Sequence, residues 1–98
     1  MRYNIYVIQN FKHRGLKRLF ERNDKSQVRP DHLETIEDIL AFLDIAEKPQ
    51  DLNKPGYNLH PLKGNLKGFW SVKISGNWRI IFRFEDGDAF DINLVDYH

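Results

Sequence analysis

Apolar and polar residues alternate with a period of two over the last third of the chain. Trp70, Val72 and Ile74 alternate with Ser71, Lys73 and Ser75, and Ser75-Gly76-Asn77 follows as a turn signal. Trp78, Ile80, Phe82 and Phe84 then alternate with Arg79, Ile81, Arg83 and Glu85, and Glu85-Asp86-Gly87-Asp88 is a second turn. Ala89–Val95 completes the set. A period of two puts alternate side chains on opposite faces of a strand. Turns this tight join antiparallel neighbours, so the three strands form a meander.

The first half has another rhythm. Tyr3, Ile5 and Val7 alternate with Asn4 and Tyr6, which predicts a short strand. Over Phe11–Arg22, Leu16, Leu19 and Phe20 share a helical face while Arg14, Lys17 and Arg18 crowd the remainder, a short basic amphipathic helix. Asn23–Arg29 is polar and reads as a loop. Pro30-Asp31 opens a second helix, in which Leu33, Ile36, Leu40 and Leu43 recur at three- and four-residue steps, with Ile39 and Ala46 widening the stripe and Pro49 stopping it. Gln50–Lys67 is loop-like, punctuated by Pro55-Gly56 and Pro61. The predicted order is strand, helix, helix, strand, strand, strand. This is an α+β arrangement with two N-terminal helices on one face of a mostly antiparallel sheet and the other face at least partly open.

A length of 98 residues gives a single domain, residues 1–98, and 13% aromatic residues are too much apolar mass for a disordered chain. There is no cysteine, which excludes disulfides and thiolate chemistry and fits a reducing compartment. No apolar run approaches the ~20 residues of a membrane helix, and the N-terminus lacks the pattern of a signal peptide. A cytoplasmic protein with no membrane partner is expected.

The net charge of +1 conceals an arrangement in blocks. Residues 1–30 hold eight Lys/Arg against two acids, and residues 31–51 hold one Lys against seven acids. Residues 52–83 hold six Lys/Arg and no acid, and residues 84–98 hold five acids and no Lys/Arg. Two basic blocks can join into one patch suited to a polyanion, or each can be a solvated face.

Local motifs for nucleophile elbows, phosphate loops or metalloprotease helices are missing. His13, His32, His60 and His98 show no zinc-ligand spacing, so neither metal nor cofactor is expected. His60 lies in a loop beside Lys63, and imidazole exchanges protons near neutrality. Asp96-Tyr97-His98 sets carboxylate, phenol and imidazole directly after an apolar strand. Arg79 and Arg83 fall opposite Trp78, Ile80 and Phe82, with Lys73 joining them if the register allows, and guanidinium binds phosphate through two parallel hydrogen bonds. Position alone equally allows an exposed loop histidine, a frayed terminus and ordinary solvated arginines.

Four stretches in order carry a resemblance. Phe11-Lys12-His13-Arg14-Gly15-Leu16, Leu59-His60-Pro61-Leu62-Lys63-Gly64, Gly76-Asn77-Trp78-Arg79-Ile80, and Gly87-Asp88-Ala89 with Asp96-Tyr97-His98 resemble the HigB toxins of the RelE-like superfamily. The resemblance implies a fold like that of microbial ribonucleases. It also implies a ribosome-dependent endoribonuclease toxin that binds the 70S ribosome and cuts mRNA without metal. It implies a cognate helix-turn-helix antitoxin of the HigA type, with operator DNA bound only through the antitoxin complex. The functional residues of relatives fall here on His60, Asp96, Tyr97 and His98, with Lys63 and Arg79 beside them. Metal-free RNA cleavage uses the 2′-hydroxyl as nucleophile and needs a base, an acid and cations for the phosphorane charge. His60 and His98 are expected to share the proton transfers, in either order. Arg79 with Lys63 would hold the phosphate, Tyr97 would stack on a base or donate a hydrogen bond, and Asp96 would orient a histidine. Lys73, Arg83, Lys17 and Arg18 are further RNA contacts. Two other readings use the same basic face: a non-catalytic RNA- or ribosome-binding module, and a co-repressor acting with its antitoxin on DNA.

Overall fold

The computed structural model describes residues 6–97. Helix α1 spans Arg14–Arg22 and α2 spans Pro30–Asp44. Four strands follow: β1 (His60–Pro61), β2 (Phe69–Ser75), β3 (Trp78–Glu85) and β4 (Asp88–Asp96). They form one antiparallel sheet in the order β1-β2-β3-β4. The expected α+β architecture is present, with the helices first in the described chain.

The expected first strand is a correction. Tyr3 and Ile5 lie outside the described residues. Beyond them only two isolated parallel bridges form, Ile8 to Ala89 and Phe11 to Ile92. A continuous ladder is prevented by Asp91, which takes a left-handed φ of 54° between the two contact points. The bulge is pinned from the N-terminal segment. Asn10 Nδ2 donates to the Asp91 carboxylate at 2.9 Å, and the Asp91 N–H donates to Asn10 Oδ1 at 3.1 Å. The first of these hydrogen bonds, then Arg83, holds the Asp91 carboxyl below its usual range against the opposing effect of partial burial.

Helix α1 begins after His13, whose Nδ1 accepts the N–H of Leu16 at 3.1 Å. It ends at Asn23, left-handed at φ 54°, whose N–H returns to the helix carbonyls. Gly15 is required by close approach rather than by its dihedrals. A Cβ there would meet His13 Cε1 at 2.8 Å and the Gln27 carbonyl oxygen at 3.0 Å. Helix α2 starts on Pro30 and buries Ile36, Ile39, Leu40 and Leu43. It stops at Asp44, ahead of Pro49. Pro49 instead opens a 3-10 turn, Pro49–Leu52, in which the Asp51 carboxylate accepts the N–H groups of Glu47 and Lys48. The expected loop 50–67 therefore contains structure, including β1 and a second 3-10 turn at Gly64–Leu66.

The core lies between the helices and one face of the sheet. Val72, Ile80, Phe82, Ala89 and Ile92 are fully buried there against Leu16, Ile36, Ile39 and Leu43. Each such side chain contributes roughly 1.5–3 kcal/mol relative to exposure. Ser71, Lys73, Arg79, Ile81, Arg83, Asn93 and Val95 stand outside this cluster, on the opposite face of the sheet by strand alternation.

The cap of α1 makes a pH prediction. His13 can accept from Leu16 only while its Nδ1 is unprotonated, and burial lowers its pKa below the ordinary 6.5. The unfolded chain then binds this proton more readily, so its stabilising contribution is full above the ordinary unfolded pKa and declines as the pH falls through the lowered folded value. Thermal melts of the wild type from pH 7.5 to 5 should fall in midpoint more steeply than those of His13→Asn. The variant keeps an N-cap acceptor that does not titrate. Parallel slopes would show that the cap does not respond to His13 protonation.

Candidate active site

The uncovered face of the sheet is organised in rows by the register. His60, Ser71, Ile81 and Asn93 form one row across all four strands. Lys73, Arg79 and Val95 form the next. Neighbouring strands lie about 4.8 Å apart, so His60 and Arg79 occupy one compact patch two strands and one row apart. Lys73 joins Arg79 directly, which settles the register on which its inclusion depended.

The floor of the patch is dry although no helix covers it. Ile81 is 5% exposed and Ser71 fully buried, shielded by the longer side chains of their own face. Two buried atoms here have no hydrogen-bond partner among the described residues, Ser71 Oγ and Arg79 Nη1. A buried donor without a partner costs about 1–3 kcal/mol.

His60 is exposed on the edge strand β1. A two-residue strand arises because Pro61 has no N–H to extend the ladder. The flanking chain is still tied to β2, through Lys73 N–H to the Tyr57 carbonyl at 2.7 Å and Leu62 N–H to the Phe69 carbonyl at 2.8 Å. The imidazole is oriented locally. Its Nδ1 lies 2.9 Å from the Asn58 carbonyl oxygen. A carbonyl can only accept, so Nδ1 carries the proton and Nε2 of the neutral ring holds a free lone pair. Asn58 adopts a left-handed φ of 48° in presenting that carbonyl.

The other expected residues divide. Asp96 closes β4 opposite Trp78. Tyr97 is half-exposed, and its N–H donates to the Asn77 carbonyl at 2.9 Å, keeping it beside the turn that precedes Arg79. Alternation puts Tyr97 on the side of Arg79 and Asp96 on the side of Trp78, so the two do not share a face. His98 lies outside the described residues. Lys63 is exposed just beyond β1. Arg83 lies on the same face but is held by Glu85, by Asp91 at 3.5 Å and over the Phe90 ring at 4.5 Å. Lys17 and Arg18 are elsewhere, on the outer side of α1, lining a cleft of about 180 Å³ with Arg14, Glu21 and Arg22. Arg18 is 3.8 Å from Asp24. A larger cleft of about 380 Å³ also borders α1, lined by Tyr6, Ile8, Gln9, Phe11, Phe20 and Glu21. Among the described residues no cluster of three or more potential metal ligands exists, and no helix is long and apolar enough to cross a membrane.

Sequence reasoning missed Asn58 and Ser71. Asn58 precedes His60 by two residues, the spacing of a side-chain-to-backbone turn, and that signal was available. Ser71 was legible only as a polar strand residue.

The chain as a whole has counterparts among known proteins. A family model described as the RelE-like toxin of the type II toxin–antitoxin system HigB matches residues 9–98. The chain belongs to this HigB-like toxin family. It is 46% identical over 92 residues to the Endoribonuclease HigB of Proteus vulgaris, covering 94% of this chain and all of that protein. It is also 33% identical over 86 residues to Toxin HigB-1 of Vibrio cholerae, covering 86% of this chain and 90% of that one. Membership in a type II toxin–antitoxin family implies an antitoxin as partner of this HigB-like toxin.

The geometry at Asn58 predicts a graded response. Asn58→Gly keeps the left-handed conformation and should leave stability within about 0.5 kcal/mol. Asn58→Val places a β-branched residue at positive φ and should cost about 1–3 kcal/mol. Its His60 ring should also lose the Nδ1–H tautomer, read by ¹⁵N chemical shifts of the imidazole. An unchanged tautomer in Asn58→Val would show that the carbonyl does not hold the ring.

Proposed function

We propose that this chain is a ribosome-dependent endoribonuclease that cuts mRNA at the His60–Arg79 face, with no metal ion in the chemical step. The single observation that carries the reading is the His60 hydrogen bond to Asn58, which frees Nε2 as a base on the face where Lys73 and Arg79 share a row. The names of the relatives support cleavage of RNA as the activity.

In this mechanism His60 Nε2 takes the proton of the 2′-hydroxyl as the 2′-oxygen attacks the adjacent phosphorus. Arg79, with Lys73 and Lys63, stabilises the charge that builds on the phosphorane oxygens. The P–O5′ bond breaks and an acid protonates the leaving 5′-oxygen, giving a 2′,3′-cyclic phosphate and a 5′-hydroxyl. His98 is assigned as that acid, with Asp96 to orient it and Tyr97 to stack on a base or donate a hydrogen bond. The partner is a helix-turn-helix antitoxin of the HigA type, and operator DNA is bound through that complex. The site of action is the cytoplasm.

The test compares wild type, His60→Ala, Arg79→Lys and Arg79→Ala, each confirmed folded by thermal melt, on ribosomes programmed with a defined message. His60→Ala should lower kcat by about 10²–10⁴-fold. Arg79→Ala should lower it by about 10²–10³-fold, with Arg79→Lys intermediate because an ammonium cannot grip a phosphate with two prongs. Growth arrest that survives His60→Ala without new message ends would favour a binding module that obstructs translation.

The basic face of α1 is proposed as a second RNA surface, supported by the grouping of Arg14, Lys17, Arg18 and Arg22 around one cleft. Lys17→Ala and Arg18→Ala each remove one cation from a bound phosphate. The log–log slope of ribosome affinity against salt should therefore flatten by about 0.7–0.9 per substitution. An unchanged slope in the double variant would remove α1 from the interface.

A further inference from the structure

The segment that carries Arg79 enters the sheet beside an irregularity. Register shifts between Lys73 and Ser75, on the strand facing it. The chain has just left the Gly76–Asn77 turn. On its other side β4 ends at Asp96 opposite Trp78, and one further bond, from Tyr97 N–H to the Asn77 carbonyl, ties the tail to the same turn. Arg79, Asp96 and Tyr97 thus all rest on Asn77–Arg79, where the ladder to β2 is irregular.

Trp78 anchors that segment from behind. It projects to the helix side, and the N-terminal end of α2 grips it with two side chains. The His32 ring meets it edge-on, with centroids 5.6 Å apart and planes at 62°. The Arg29 guanidinium lies over the same ring at 5.9 Å, itself fixed by the Asp31 carboxylate at 3.0 and 3.2 Å. His32 is 3% exposed, the one charged or titratable side chain in the fully buried set of the described residues. The proposed mechanism gives it no proton to move. Its use is the contact it makes.

We infer that His32, with Arg29, is a positioning residue that acts through Trp78 to hold Arg79 and the Asp96–Tyr97 tail in place on the opposite face of the sheet. This rests on the nuclease reading above. Adjacent residues on a strand point to opposite faces, so a tilt of Trp78 in a loosened pocket swings Arg79 by a comparable angle. A misplacement near 1 Å costs about 10²-fold in a reaction that depends on alignment. The effect belongs in kcat, because message docking uses many other groups.

The experiment measures kcat and KM for cleavage of a defined message on programmed ribosomes with wild type, His32→Ala, His32→Phe and Arg29→Ala. Antitoxin affinity and the thermal melt report the fold. His32→Ala should lower kcat by about tenfold or more with KM within about threefold, and His32→Phe, which restores an aromatic ring, should recover most of that loss. Arg29→Ala should lower kcat by about two- to threefold. A His32→Ala kcat within about twofold of wild type, or a loss confined to KM, overturns the inference. Equal losses in folded His32→Phe and His32→Ala overturn it too, since the imidazole would then act by its own chemistry. Arg29 is exposed, so its replacement keeps the test open if His32→Ala does not fold, and an unchanged kcat there also overturns the inference. Wild-type protein that fails to cut the message removes the nuclease reading instead, which separates the two failures.

Discussion

One-sided burial of β3 is the constraint on which the rest of the structure depends. Ile80 and Phe82 are fully buried beneath the helices, and the period of two then delivers Arg79, Ile81 and Arg83 to the other face. A slip of one residue would exchange the two sets. Arg79 would enter an apolar core and Ile80 would face solvent, a change costing many kcal/mol through the desolvated guanidinium alone. The energy that folds the sheet is therefore the energy that aims the arginine. Both neighbours of β3 carry a register irregularity, and between them these irregularities set which residues of β2 and β4 share its rows.

Charge on the open face is sorted along the strands. At one end Arg83 is neutralised by Glu85 and Asp91 and stacked on Phe90. Two rows away Lys73 and Arg79 lie side by side in register, and no carboxylate pairs with either among the described residues. The chain is close to neutral overall, yet this face has a cationic end and a balanced end. A polyanion laid across it is drawn towards Lys73 and Arg79. Screening at ordinary salt confines the effect to about 8 Å, roughly the size of the patch.

Much of this was legible in the sequence, for physical reasons that differ by element. The meander followed from strict alternation and two glycine-containing turns, which few other structures satisfy. Helix α2 followed from its apolar stripe, but its end did not, because Pro49 looked like a stop when the packing had already turned the chain at Asp44. Most of the expected opening strand lies outside the described residues. At Ile8–Phe11 the pairing is interrupted by the Asp91 bulge across from it, a long-range contact that alternation does not carry. Strand β1 was invisible, since two residues ending in proline have no period. Of the candidate site, Arg79 and Lys73 share a row as strand alternation allowed, whereas His60 reaches the same face through β1, which no period announced. The separation of Lys17 and Arg18 onto another side required knowing which face α1 buries. The split between Asp96 and Tyr97 was foreseeable from alternation alone, because β4 is regular from Asn93 to its last residue.

The proposed catalytic groups also differ in how firmly the fold holds them. Arg79 sits on a central strand, bonded on both sides. His60 sits on an edge strand of two residues, its ring oriented by one carbonyl, and Tyr97 lies past the end of β4 on a single backbone bond. A charge that must meet a spreading phosphorane works best when fixed in advance, since its reorganisation would otherwise add to the barrier. Groups that hand over protons tolerate more slack in the free protein, because their hydrogen bonds tighten only when the substrate closes the distance. The clefts beside α1 lie away from this face. Above the dry floor, the exposed His60 ring loses its water only when something covers the patch. An RNA chain presented by a larger particle supplies both the covering and the last alignment, which accounts for a site that is half rigid and half loose.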